Sequence, residues 1–332
     1  MHKVETAKPD PRRQELDAWV AAQLGETQLV MEPASSDASF RRYFRVDSGG
    51  RALVVMDAPP EQEDCQTFVA VAALFGRAGV HVPTILASDI ERGFLLLEDL
   101  GSQTYLDVLD SDNADALFAD AIGALIKIQQ GSRPGILPAY DAGLLRRELE
   151  LFPEWYLGRE LGWTVDDGLR TELDALFELL VSRALSQERV YVHRDYMPRN
   201  LMISKPNPGV IDFQDAVYGP ISYDPICLFK DAFISWPEPR LMVWLEQYWL
   251  GAREAGLPVP ADFDAFYRDC DFMGAQRHLK VIGIFARICH RDGKPAYLQD
   301  VPRFLAYLRG AADRNPELGP LRRLLGRMES AL

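Results

Sequence analysis

Residues 190–215 read VYVHRDYMPRNLMISKPNPGVIDFQD, and within them His193, Asp195 and Asn200 fall in the pattern His-x-Asp-x4-Asn, followed by Ile211-Asp212-Phe213. Asp212 stands seventeen positions after Asp195 (212 − 195). Each aspartate leaves an apolar segment, an arrangement that presents it where a strand runs out into a loop. Two carboxylates and an amide placed this way can converge on one point. Such a set suits phosphoryl transfer, which needs an acceptor for a hydroxyl proton, oxygen ligands for Mg²⁺ and a fixed in-line geometry. In this reading Asp195 orients the acceptor hydroxyl and takes its proton, while Asn200 and Asp212 hold the metal that bridges the nucleotide phosphates. Pro198 stiffens the loop between them. A core histidine among turn-forming aspartates would explain the first spacing but not the Ile-Asp-Phe that follows a short apolar run.

The rest of the chain must hold these loops together. Leu16, Trp19, Val20 and Leu24, at helical spacing, predict an accessory helix over 10–24 that ends at Gly25. Three β-rich stretches follow, 28–32, 40–47 and 52–57, the last two joined through the hairpin signal Ser48-Gly49-Gly50. An amphipathic helix over 61–77 turns Phe68, Val71, Ala72 and Phe75 inward, and strands at 84–89 and 94–98 complete the set. That order makes an antiparallel sheet covered by one main helix. Beyond Gly101 the pattern is mainly helical, over 103–110, 113–130, 141–161, 166–186, 222–234, 238–255, 262–291 and 297–330, with short strands at 190–193, 201–204 and 210–213. The expected fold is α+β and two-lobed: a nucleotide-binding lobe of residues 1–97, a hinge at 98–101, and a helical lobe of 102–332 with the catalytic loop and the acceptor site.

Composition narrows the partners. A net charge of −13 argues against nucleic acid, whose phosphates need clustered Lys and Arg, and requires that an anionic ligand be met by local cations or metal. Cys65, Cys227, Cys270 and Cys289 are too widely spaced for a zinc site or a disulfide framework. No apolar run approaches the ~18 residues that span a bilayer, and residues 1–14 are polar, without the apolar core of a secretory signal. A cytoplasmic protein without membrane contact is expected.

The motifs at 193–200 and 211–213 resemble those of the aminoglycoside phosphotransferase and choline kinase superfamily, relatives of the protein kinases, and the resemblance covers nearly the whole chain. It implies a protein-kinase-like fold, ATP and Mg²⁺, and backbone contacts to adenine along 95–101, with Glu98, Asp99 and Leu100 at the centre. It also implies that Asp224 and His193 support the catalytic loop, although Asp before Pro225 is a helix N-cap signal as well. Ser35-Ser36-Asp37-Ala38-Ser39 looks like the phosphate-covering loop, because small side chains let backbone N–H groups approach phosphate and hydroxyls add donors. A polar hairpin has the same composition. One departure concerns the third strand, where a kinase carries a lysine for the phosphates; here Met56 of Leu53-Val54-Val55-Met56-Asp57 takes that place. Arg41, Arg42 and Arg45 are the candidate replacements; without one, a nucleotide-binding pseudokinase is the alternative.

The stretches SSDASFRRYFRV, VVMDAPPE, ELELFPEWYL, VHRDYMPRNLM and AQRHLKVIGIFARI look like those of bacterial cell-wall-recycling kinases. That likeness implies an amino-sugar substrate, with phosphorylation of the anomeric hydroxyl of N-acetylmuramate and N-acetylglucosamine. The residues themselves leave the acceptor open, with aminoglycoside, choline and homoserine types as alternatives. Glu148, Glu150, Trp155 and Tyr156 mix carboxylates and aromatics as sugar sites do, although Phe152, Trp155 and Tyr156 at helical spacing equally suit a core. Arg277, His278 and Lys280 in 262–291 read as a solvated face, or as contacts to the lactyl carboxylate, for which a bidentate Arg277 is well shaped. A monomer is expected.

Overall fold

The structure, a computed structural model, describes residues 10–27, 29–35 and 40–330. Helix α1 (Pro11–Leu24) starts where the Asp10 side chain accepts the Arg13 N–H, has Pro11 in its first turn, and stops at Gly25 in the left-handed region. Strands β1 (Met31–Ser35), β2 (Arg42–Ser48) and β3 (Arg51–Asp57) follow; the β2–β3 turn is made by Gly49 and Gly50, both at positive φ. Helix α2 (Cys65–Arg77) and strands β4 (Ile85–Asp89) and β5 (Phe94–Glu98) complete an antiparallel sheet of order β1-β2-β3-β5-β4.

Alternation along the strands sorts the side chains between two faces. Met56, Leu95 and Leu97 pack with Phe68, Val71, Ala72 and Phe75 of α2, as the pattern of that helix requires. Phe44, Val46, Leu53, Val55, Phe94 and Leu96 turn the other way, onto Leu16, Trp19 and Val20 of α1. The sheet therefore has helices on both faces, and α1 is a structural layer rather than an accessory. It is fastened by Arg12 and Arg42, whose Nε atoms both donate to the buried Asp57 carboxylate at 2.8 Å.

From there the chain is mostly helical: α3 (Tyr105–Val108), α4 (Ala114–Gln130), α5 (Ala142–Leu151), α6 (Asp167–Leu185), α7 (Tyr223–Phe229), α8 (Glu238–Glu254), α9 (Phe263–Asp292), α10 (Val301–Arg314) and α11 (Gly319–Ser330). Two expected long helices are broken. The helix expected over 141–161 changes to π-helical winding at Phe152–Glu160, where Pro153 has no N–H to give to an α ladder. The helix expected over 297–330 divides at Asn315-Pro316, because the residue before proline is pushed out of the α region. Helix α9, 30 residues long, is the axis of this half; a Cβ at Gly283 would lie 2.4 Å from the Leu151 carbonyl carbon, so glycine there lets α5 and α9 meet backbone to backbone. None of the described helices is long and apolar enough to cross a membrane.

The three short strands are β6 (Arg189–Val192), β7 (Leu201–Met202) and β8 (Gly209–Val210). Strand β8 ends two residues before Asp212, which lies in the loop. A further strand, β9 (Val217–Pro220), pairs antiparallel with β6 and was not expected.

Candidate active site

Strand β6 delivers the chain to His193, which is fully buried. The N–H groups of His193 and Arg194 both donate to the Asp224 carboxylate, at 2.7 and 3.0 Å, and Arg194 takes φ 76 to bring them there. Burial pushes the Asp224 carboxyl up to about 7 despite these two donors. The His193 ring spans two loops: Nδ1 accepts the Asp195 N–H (3.3 Å) and Nε2 lies 3.0 Å from the Ile211 carbonyl, so the proton sits on Nε2. Burial lowers this imidazole to about 4, and it is neutral at physiological pH.

Asn200 closes the centre. Its Nδ2 donates to the Asp195 carbonyl at 2.8 Å and to Asp212 Oδ2 at 3.3 Å, and Gln214 Nε2 donates to Asp212 Oδ1 at 2.8 Å. Asp212 is held at φ 62, a strained position for a side chain of this kind and one that recurs at functional sites. Asp195, Asn200 and Asp212, separated in sequence, thus meet at the mouth of one cleft.

The inner part of that cleft is apolar above and below: Tyr43, Val54 and Leu97 come from the sheet, and Met202, Ile211 and Phe213 from the opposite side. Glu98, Asp99 and Leu100 form its edge. The Glu98 carboxylate accepts the Thr84 hydroxyl (2.6 Å) and N–H (3.2 Å), while Asp99 accepts Arg45 Nε (2.5 Å) and the Gly101 N–H (2.9 Å). These side chains are engaged in shaping the segment. Ser35 is the last residue of β1, opposite Tyr43. Ser36, Asp37 and Ser39 lie outside the described residues.

Met56 is buried in the apolar cluster and contributes packing. Of the three arginines weighed as its substitute, Arg42 goes to Asp57, while Arg41 and Arg45 both line the cleft, Arg45 paired with Asp99 and Arg41 with Glu63 at 2.6 Å. Burial works against the Arg41 charge, but Tyr43, Glu63 and Asp212 outweigh it and keep the guanidinium protonated.

Away from the inner cavity the cleft is bounded by Asp195 and α9. Arg277, Lys280, Val281, Ile284 and Ile288 line it, one face of that helix at spacings of three and four. His278, a third of a turn away from Arg277, is buried instead against the rings of Phe304 and Tyr307. Glu150 is committed to Arg146 and Arg170, and Trp155 packs against the second apolar cluster. Arg277 therefore reaches the cleft, whereas helical geometry sends Glu150, Trp155 and His278 elsewhere. Lys280, one turn beyond Arg277 and weighed with it in the sequence, also lines the cleft, and Glu148, weighed as a sugar contact, lies behind it as the anchor of the buried cations. Glu148 is buried and accepts Lys280 (2.9 Å), Arg194 (2.5 Å), Gln276 (3.2 Å) and the Tyr140 hydroxyl. Burial alone would raise its carboxyl, but Lys280 and Arg194 bring it down to about 2.

Comparison with known proteins agrees with this layout. Two N-acetylmuramate/N-acetylglucosamine kinases, from Pseudomonas putida and Pseudomonas aeruginosa, are 58% and 59% identical to this chain, covering 97% and 95% of it and 98% and 96% of their own lengths. One from Neisseria meningitidis is 45% identical over 95% of both chains. In fold, the choline kinase LicA from Streptococcus pneumoniae superposes with a TM-score of 0.62 at 16% identity, over 92% of this chain and 100% of its own. The ADP-bound aminoglycoside phosphotransferase APH(2'')-Ib gives 0.59 at 16% identity, over 90% and 98%. Residues 30–264, which carry the sheet, the inner cavity and the loops that hold Asp195, Asn200 and Asp212, match the model of the phosphotransferase enzyme family, and to that family this chain belongs.

Proposed function

We propose that this chain is an ATP-dependent N-acetylmuramate/N-acetylglucosamine kinase that phosphorylates the anomeric hydroxyl and so serves peptidoglycan recycling. The observation that carries the reading is the meeting of Asp195, Asn200 and Asp212 at the cleft mouth, in a chain so close over its length to kinases of that name. Residues up to 97 form the nucleotide lobe, 98–101 the hinge and 102–332 the acceptor lobe in this reading. Adenine lies between Val54 and Leu97 on one side and Met202 and Ile211 on the other, against the backbone of 98–100.

The donor set fits Mg²⁺: the Asp212 carboxylate and the Asn200 amide oxygen are hard ligands, and Asn200 Nδ2 is already spent on Asp195 and Asp212, which directs Oδ1 away from both. When bound, the ion screens phosphate charge. Arg41, held by Glu63, faces the same place and supplies the cation that Met56 does not. Asp195 then positions the acceptor hydroxyl for attack on the γ-phosphorus and takes its proton as the bond to ADP breaks. The pairing of Arg277 and Lys280 with that region disfavours cationic acceptors such as choline or aminoglycosides. Four free cysteines, three of them buried, suit a reducing cytoplasm.

The test is phosphorus NMR of the product formed from ATP with each sugar. A sugar 1-phosphate from both is expected; a phosphate on another carbon, or no product from a folded protein, overturns the reading. Asp212→Ala is expected to weaken Mg²⁺-dependent ATP binding as well as turnover. Titration calorimetry giving wild-type affinity for the metal nucleotide would remove Asp212 from the ligand set.

A further inference from the structure

Buried charge around the acceptor end of the cleft does not balance. Arg194, Lys280 and Arg277 are three cations around Tyr223: Lys280 and Arg277 are 8% and 2% exposed, and Arg194 is largely covered. Glu148 answers the first two, through its contacts to Arg194 and Lys280. Arg277 has no such partner. Among the described residues its only hydrogen bond is a 3.3 Å contact from Nη1 to the Lys230 carbonyl, and no carboxylate comes within ion-pairing distance. Asp231, one of the carboxylates whose field reaches Arg277, is buried, has one oxygen without a partner and is pushed towards its neutral form by burial. A guanidinium this deeply buried normally has an anion against it, because leaving it unpaired in a low dielectric is costly.

The open side of Arg277 is the cleft. Arg277 and Lys280 both line it beside Asp195 and Tyr223, and neither lines the inner cavity bounded by Leu97 to Gly101. They share the outer cleft with Asp212 and Asn200 but stand on α9, on the side of the cleft away from the inner cavity. A chain of net charge −13 thus holds Arg277 buried, without a carboxylate partner among the described residues, on the wall of the cleft that also carries Asp195.

We infer that Arg277 and Lys280 form a carboxylate-binding subsite of the acceptor pocket, in which Arg277 takes the carboxylate through its open guanidinium edge and Lys280, anchored by Glu148 and Tyr223, adds the second positive charge. This rests on the amino-sugar reading above and adds to it the part of the substrate that is recognised: the lactyl carboxylate, present in N-acetylmuramate and absent from N-acetylglucosamine. Selection between the two sugars then comes from one charge pair rather than from the pyranose ring that they share.

The experiment compares kcat/KM for both sugars in the wild-type enzyme and in Arg277→Met, with Arg277→Lys as the charge-retaining control. The ratio of N-acetylmuramate to N-acetylglucosamine efficiency is expected to fall by about 10²-fold in Arg277→Met, the scale of one charge-assisted pair, and by less in Arg277→Lys. Equal loss on both sugars, or a rise in KM for ATP that accounts for the loss, overturns the subsite. Should the variants fail to fold, the substrate side gives the same answer. With wild-type enzyme, N-acetylmuramate converted to its primary carboxamide is expected to lose at least tenfold in kcat/KM relative to the acid, and an amide as good as the acid overturns the inference. A wild-type enzyme that phosphorylates neither sugar would instead sink the amino-sugar reading itself, a result distinct from equal loss in a variant.

Discussion

Asp195→Asn is expected to lower kcat by roughly 10²–10⁴, the range over which a positioned general base contributes, while nucleotide binding stays close to wild type. The substitution is nearly isosteric, and the contacts that set the loop are made by the backbone of residue 195: its N–H to His193 Nδ1 and its carbonyl to Asn200. Both survive the change. What is lost is the carboxylate that receives the hydroxyl proton as the phosphoryl group moves. Steady-state kinetics alongside calorimetric titration with ATP separates the two effects. Turnover at the wild-type rate would refute the role of Asp195 as base, and loss of nucleotide affinity in parallel with the rate would show that the side chain shapes the cleft instead.

The second large effect is on stability. Glu148→Ala removes the one carboxylate that answers both Arg194 and Lys280, and it strands the Tyr140 hydroxyl as well. Breaking a buried ion pair from one side costs about 3–5 kcal/mol, and denaturant unfolding should show a loss of that size. The pH dependence gives an independent reading. The Glu148 carboxyl is held at about 2 in the folded protein against an ordinary 4.5, so its contribution is complete above pH 4.5 and is lost as the pH falls towards 2. A depression of that extent corresponds to about 3 kcal/mol, which agrees with the mutational scale. Glu148→Gln should flatten the acid limb of the stability profile by this amount. An unchanged acid limb would mean that other carboxylates govern it.

The convergence of Asp195, Asn200 and Asp212 was legible because they lie close together in the chain and their spacing is dictated by short strands that end at fixed loops. The sheet was legible for a similar reason: alternation and the Gly49-Gly50 turn are local signals. The acceptor side depends on distant partners. Glu148 and Glu150 are two residues apart, nearly opposite on α5, and nothing local says which faces inward; the answer lies in Arg194 and Lys280, far along the chain. Arg277 and His278 pose the same problem on α9, settled by Phe304 and Tyr307 behind the helix. The role of α1 was hidden too, since its narrow stripe of Leu16, Trp19 and Val20 does not announce which surface it will cover.

That last feature bears on how the protein can be shortened. A polypeptide begun at Met31 would retain Asp195, Asn200, Asp212 and the entire cleft, yet it would bare Val46, Leu53, Val55 and Leu96 to water and take Arg12 away from Asp57. An oily sheet surface of that kind glues molecules to one another. Such a truncation would precipitate with its catalytic machinery intact, so poor yield of an N-terminally trimmed protein would say nothing against its chemistry.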